Sequence, residues 1–105
     1  MARSRRARKD RNHVIYCITN TVTLEQYIGI TVCVGGVNRS IKIRWQKHVR
    51  RALTENRDWT LCRSIREHGA EAHDMMLVEK VRGKTAAHVI EREMIRTLRP
   101  ELNSL

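Results

Sequence analysis

Phenylalanine is absent from the 105 residues, and Tyr16, Tyr27, Trp45 and Trp59 are the only aromatic side chains besides histidine. A protein that binds single strands by stacking bases on an aromatic platform needs more rings than this, so each tyrosine calls for a specific reason. Cysteine is scarce too. Cys17, Cys33 and Cys62 make an odd count with no CxxC pair, which argues against a disulfide framework and a cysteine zinc site. His13, His68, His73 and His88 show no HxH or HxxxH spacing among them, which argues against a histidine zinc site. No apolar run approaches the length of a membrane span, and no signal-peptide pattern opens the chain. The expectation is a cytoplasmic protein without a membrane partner, in host-cell cytoplasm if phage-encoded.

Acidic residues are the other shortage. Eleven Asp and Glu stand against 21 Lys and Arg, a formal net charge of +10. Such a balance points to a polyanionic partner, most often nucleic acid. The first 13 residues hold Arg3, Arg5, Arg6, Arg8, Lys9 and Arg11 against one acid, Asp10. With almost no apolar content, residues 1–13 are expected to form a basic, disordered arm that meets phosphate, ahead of one domain over 14–105. Arg5, Arg6 and Arg8 are its candidate DNA contacts.

Apolar patterning gives the order ββααβα, an α+β arrangement. "HVIYCIT" (13–19) and "QYIGIT" (26–31) read as strands of a hairpin, with Gly29 marking a close backbone approach. Ser40 is a candidate N-cap for a helix over 41–53. Ile41, Trp45, Val49, Ala52 and Leu53 line its inner face, with Arg44 and His48 stacked one turn apart beside it. Asp58 is a candidate cap for a second helix, with Leu61 and Ile65 inward and Gly69 as its stop. A third strand over 72–81 and a helix over 85–99, ended by Pro100, complete the chain. In that last helix, at about 100° per residue, Val89, Ile90, Met94 and Thr97 share a face and Glu93 projects from its middle. A carboxylate placed inward needs a partner.

Phosphodiester cleavage is a chemistry these residues suit. It needs a group that activates or positions water, a cation on the phosphate oxygens, and often a metal held by one or two carboxylates. Arg44 offers the fork geometry for phosphate, His48 a proton acceptor near neutral pH, and a tyrosine hydroxyl a base when cations or histidine help it. Patterning alone also leaves a nucleic-acid-binding module without catalysis, or a structural ribonucleoprotein component.

"VIYCITN", "QYIG", "IRWQKH", "LCRSIREHG", "VIEREM" and "RPELN" together resemble, in order, the motifs of the GIY-YIG nucleases, over roughly residues 13–103. Val14 stands where the first motif usually has Gly. The resemblance implies a small three-stranded antiparallel sheet flanked by helices, and a DNA endonuclease dependent on Mg²⁺ or Mn²⁺. It implies Tyr16 as base or water-positioning group, Tyr27 and Gly29 as the second motif, Arg44 on the scissile phosphate and His48 assisting Tyr16. It also implies Glu93, rather than Glu91, as metal ligand and Asn103 as a brace or backbone contact. Lys47 and Arg51 are further candidate DNA contacts, together with Gly29 and Asn103. A lone domain of this size fits a phage or mobile-element homing-type nuclease, or a partner-dependent structure-specific nuclease subunit. One active site nicks. A double-strand break needs a homodimer or sequential visits, and sequence specificity would come from a partner or from DNA shape.

Overall fold

The structure, a computed structural model, describes residues 11–103. Its order is β1 (Asn12–Asn20), β2 (Gln26–Val32), α1 (Val37–Leu53), α2 (Thr60–His68), β3 (His73–Arg82) and α3 (Lys84–Leu98), with one short 3-10 turn at Ala70–Ala72. The three strands form one antiparallel sheet in the order β2-β1-β3. The fold is therefore α+β, as the patterning indicates.

β1 is central because it is apolar on both sides. Tyr16 and Ile18 face one way, into a core with Ala52 of α1, Leu61, Cys62 and Ile65 of α2, and Leu102. Ile15 faces the other way, with Ile28, Val81 and Ala87, and Ile90, Met94 and Ile95 of α3 pack on them. A strand covered on both faces reads as a continuous apolar run rather than an alternation, which is what "HVIYCIT" is. β3 carries a bulge at Val78, since Ile15 pairs with Glu79 while Tyr16 pairs with Leu77. Bulges of this kind bend and twist an exposed edge.

Several local expectations are corrected. Asn12 and His13 belong to β1, and the Arg11 carbonyl accepts hydrogen bonds from Gly83 N (2.9 Å) and His13 Nδ1 (2.9 Å). Residues 11–13 therefore belong to the folded body, and Arg5, Arg6 and Arg8 lie outside the described residues. α1 starts at Val37 behind Gly36, whose φ of 99° suits glycine. Ser40 is thus inside the first turn, where its hydroxyl accepts from Val34 N (2.7 Å) and ties the preceding loop to the helix. Asp58 caps nothing: Trp59 holds the N-cap position of α2, and Asp58 instead pairs with Arg63 at 3.7 Å. α3 starts at Lys84 behind Gly83 rather than at Thr85. Among the described residues no helix is long and apolar enough to cross a membrane.

Candidate active site

Register places the first two candidates. Tyr16 on β1 lies directly opposite Gly29 on β2, and Ile18 opposite Tyr27, so both tyrosines rise from the same face of the hairpin with ring centroids 6.2 Å apart. A Cβ on Gly29 would sit 2.5 Å from both Cζ and Oη of Tyr16 and 2.7 Å from Cε1 of Tyr27. Glycine is thus required here for space, and the close approach expected at this position is a ring rather than a backbone.

α1 crosses this face and delivers Arg44 and His48 from one side of the helix. The Tyr16 hydroxyl shares a hydrogen bond with His48 Nε2 at 2.7 Å and accepts from Arg44 Nε at 3.2 Å. The His48 ring also stands edge-on to Tyr27, 5.3 Å between centroids. Burial and the nearby Arg44 and Arg51 guanidiniums push the His48 imidazole down to about 3, so the ring is neutral at physiological pH, and in the tautomer protonated at Nδ1 its Nε2 is an acceptor. Burial raises both tyrosines above the usual phenol value, and the Arg44 guanidinium pulls against that rise in each. Tyr16 therefore stays protonated in the resting protein. It is held between a proton acceptor and a cation that would stabilise its phenolate.

The carboxylate at this site is Glu91. Glu93, expected inward, lies on the other side of α3, its side chain 58% exposed and paired with Arg96. Glu91 is 16% exposed. Burial holds its carboxyl above the usual range, opposed by His88 at 3.6 Å and by the Arg92 and Arg44 charges, and its own charge acts on Tyr27. The cause is the phase of the helix. α3 seats Ala87, Ile90, Met94 and Ile95 on the sheet, while Val89 is 45% exposed and Thr97 is exposed. Position 91 falls within that arc, and position 93 lies about 200° around the helix from position 91.

A cleft of about 310 Å³ opens beside the cluster, lined by Tyr27, His48, Arg51, Trp59, Leu61, Cys62, Leu102 and Asn103. Arg51 and Arg57 place guanidiniums 5.5 and 5.4 Å from the centroid of the exposed Trp59 ring. Arg51 thus lines the cleft, whereas Lys47 is exposed on α1 and does not line it. Asn103 acts on the frame. Its Oδ1 accepts from Ile28 N and its Nδ2 donates to Ile28 O, each at 2.9 Å. Leu102 N adds a bond to Gln26 O at 2.9 Å. The tail is laced to the outer edge of β2, and the Asn103 amide is engaged at both ends by backbone.

Asn20, Ser64 and His73 form a second polar cluster that sequence spacing does not reveal. The Gly69 carbonyl accepts from His73 Nδ1 at 2.8 Å, and His73 Nε2 shares a hydrogen bond with the Ser64 hydroxyl at 2.8 Å. Ser64 Oγ in turn accepts from Asn20 Nδ2 at 2.9 Å. All three residues are buried. They join the end of β1, the middle of α2 and the start of β3 as a satisfied network and resemble a nucleophile pair only in composition.

Among the described residues no three His, Cys, Asp or Glu side chains converge, so a closed zinc-type site has no ligand set here. Glu91 does fit the alternative. Mg²⁺ takes one or two carboxylates and fills its shell with water and phosphate oxygens, and Glu91 is an acceptor-only group when ionised, with its charge felt by Tyr27 and opposed by Arg44.

Fold and site together define an α+β chain with a buried tyrosine–histidine–arginine cluster on one face of a three-stranded sheet and one largely desolvated carboxylate on α3. No family model matches the chain, and no curated protein or solved structure is similar enough to rank as a relative.

Proposed function

We propose that this chain is a DNA endonuclease of the GIY-YIG type that hydrolyses phosphodiester bonds with a divalent metal. The observation that carries the reading is the Tyr16 hydroxyl, held between Arg44 Nε and His48 Nε2, with Glu91 as the half-buried carboxylate whose charge acts on its neighbour Tyr27. Four elements supply these groups, and burying them without a function is costly.

In this mechanism a water oxygen attacks phosphorus as the bond to the sugar oxygen breaks. Tyr16 accepts the proton of the attacking water while passing its own to His48 Nε2. Arg44 stabilises the charge on the Tyr16 oxygen, and its remaining N–H groups bind a phosphate oxygen. Tyr27 packs against the His48 ring and fixes its orientation. The leaving sugar oxygen takes a proton from solvent. Glu91 would hold Mg²⁺ or Mn²⁺, which supplies Lewis-acid stabilisation of the developing charge on the phosphate oxygens. The polyanionic substrate agrees with the +10 charge of the chain.

The competing reading is a binding module without catalysis. A carboxylate at the phosphate site repels nucleic acid when no cation bridges the two, which favours the enzyme.

The test is supercoiled-plasmid nicking by wild type, Glu91→Gln and Glu93→Gln, each with Mg²⁺ and with EDTA. Metal-dependent nicking is expected in wild type and Glu93→Gln, and a fall of about 10²-fold or more in Glu91→Gln. Nicking that survives Glu91→Gln removes Glu91 from the site. Binding without nicking under any metal, on branched as well as duplex DNA, favours the silent module.

A further inference from the structure

We infer that Arg92, Arg96 and Arg99 form a track for the sugar-phosphate backbone of DNA as it leaves the cleft, an inference that rests on the nuclease reading. A groove of about 640 Å³ is lined by Arg92, Ile95, Arg96, Arg99, Pro100 and Asn103. Arg92, Ile95 and Arg96 of α3, with Arg99 at its C-cap, follow the i, i+3, i+4, i+7 spacing of a single helix face. That face adjoins the one carrying Glu91.

The chemistry of this groove is one-sided. Three guanidiniums border it, and the acid that pairs with one of them is Glu93, which holds Arg96 on the rim. Arg92 and Arg99 have no ion-pair partner within 4.0 Å among the described residues. Nothing in the fold explains three exposed arginines in a row on a helix that needs only one face for packing. Ile95 and the buried Pro100 give the groove an apolar floor, which suits the sugar faces between phosphates.

Position and length agree with a nucleic acid strand. Asn103 lines both this groove and the cleft that contains Tyr27 and His48, so the two spaces share a wall and a strand lying in one reaches the other. From Arg92 to Arg99 the helix advances about 10 Å at 1.5 Å per residue, and the long arginine side chains extend the reach beyond that. Three guanidiniums are thus offered in a row to successive phosphates. Glu93 limits the attraction by holding Arg96, and its removal frees that guanidinium for phosphate.

Fluorescence anisotropy of a labelled duplex in EDTA, across a NaCl series, tests this without cleavage. The variants are the triple Arg92→Gln, Arg96→Gln, Arg99→Gln and a charge-matched control triple, Lys80→Gln, Arg82→Gln, Lys84→Gln, with thermal melts confirming that each folds. The slope of log K against log [NaCl] is expected to flatten by about one for each phosphate left without its guanidinium, hence by about three in the groove triple, and to stay at the wild-type value in the control. Glu93→Gln is expected to tighten binding. Equal flattening in both triples would mean bulk charge alone and overturns the track, as does an unchanged slope in the groove triple. A wild type that binds with the expected slopes but never nicks leaves the track standing and removes the nuclease. A wild type that nicks while both triples bind alike does the reverse.

Discussion

Gly29 and His48 show how narrowly the tyrosine cluster is fitted. Gly29 does not need an unusual backbone; it needs the volume that a Cβ would take from Tyr16. Gly29→Ala should cost about 1–3 kcal/mol by overpacking. It should also lower nicking out of proportion to stability, because the ring that must give way carries the proton. Chemical denaturation alongside nicking rates checks this, and an alanine variant with wild-type values for both would mean that the sheet relaxes freely. His48 makes a prediction about pH. Its folded value is depressed to about 3 against about 6.5 in an unfolded chain. Between those values the unfolded state binds the extra proton, so stability is fully present above about 6.5 and falls away as pH drops toward 3. The slope from this group alone approaches about 1.4 kcal/mol per pH unit. Glu91 has the opposite sign: its raised folded value adds stability as pH falls through its range. Urea midpoints of wild type and His48→Gln measured from pH 7 to 4 should therefore converge, wild type falling further. Parallel curves would mean that His48 titrates normally in the folded protein.

The C-terminal tail and α3 set the frame around those side chains, and they differ in how openly the sequence declares them. Asn103 pairs with both backbone groups of Ile28 and so behaves as one more residue of sheet on the edge of β2. Asn103→Asp keeps the acceptor toward Ile28 N but sets a carboxylate oxygen against Ile28 O. A destabilisation of about 1–3 kcal/mol is expected from the unsatisfied carbonyl, with slower nicking because Tyr27 is the neighbouring residue on that strand. Thermal melts and nicking of this variant decide it, and an intact melting temperature would show that the tail is dispensable. The strands and the existence of each helix are legible in the sequence because apolar runs and the Gly69, Gly83 and Pro100 punctuation are local signals. Arg44 and His48 are legible as a pair because four residues make about one helical turn. The phase of α3 is not. Val89, Ile90, Met94 and Thr97 fit an apolar arc, and so do Ala87, Ile90, Met94 and Ile95. Only the packing on Ile15, Ile28 and Val81 selects the second. That choice carries Glu91 inward and turns Glu93 to solvent. The Asn20–Ser64–His73 network is equally hidden, since its partners lie 44 and 9 residues apart in the chain and meet only through the sheet.

Charge is distributed so that the proposed binding and cleavage can be tested separately by truncation. Residues 1–10 hold Arg3, Arg5, Arg6, Arg8 and Lys9 against Asp10, while the cluster of Tyr16, Arg44, His48 and Glu91 lies entirely within the sheet and the helices on it. The cut must fall after residue 10 and not after 13. Arg11 O accepts from Gly83 N, and Asn12 and His13 pair with Arg82 and Val81 on β3, so a cut at 13 removes the start of the central strand. Deletion of residues 1–10 should leave the melting temperature within a few degrees of wild type. It should weaken duplex binding and flatten its salt slope by up to about five, one for each basic residue that meets a phosphate. On the proposed mechanism, nicking at saturating DNA should persist, because Tyr16, Arg44, His48 and Glu91 all remain. At limiting DNA it should fall, and the fall should shrink as salt is raised, since screening removes the arm's contribution. A truncated protein with the full salt slope would place phosphate binding wholly on the folded body, where Arg51 and the α3 arginines are the candidates. A deletion that abolished nicking even at saturating DNA would instead mean that a group among residues 1–10 completes the site.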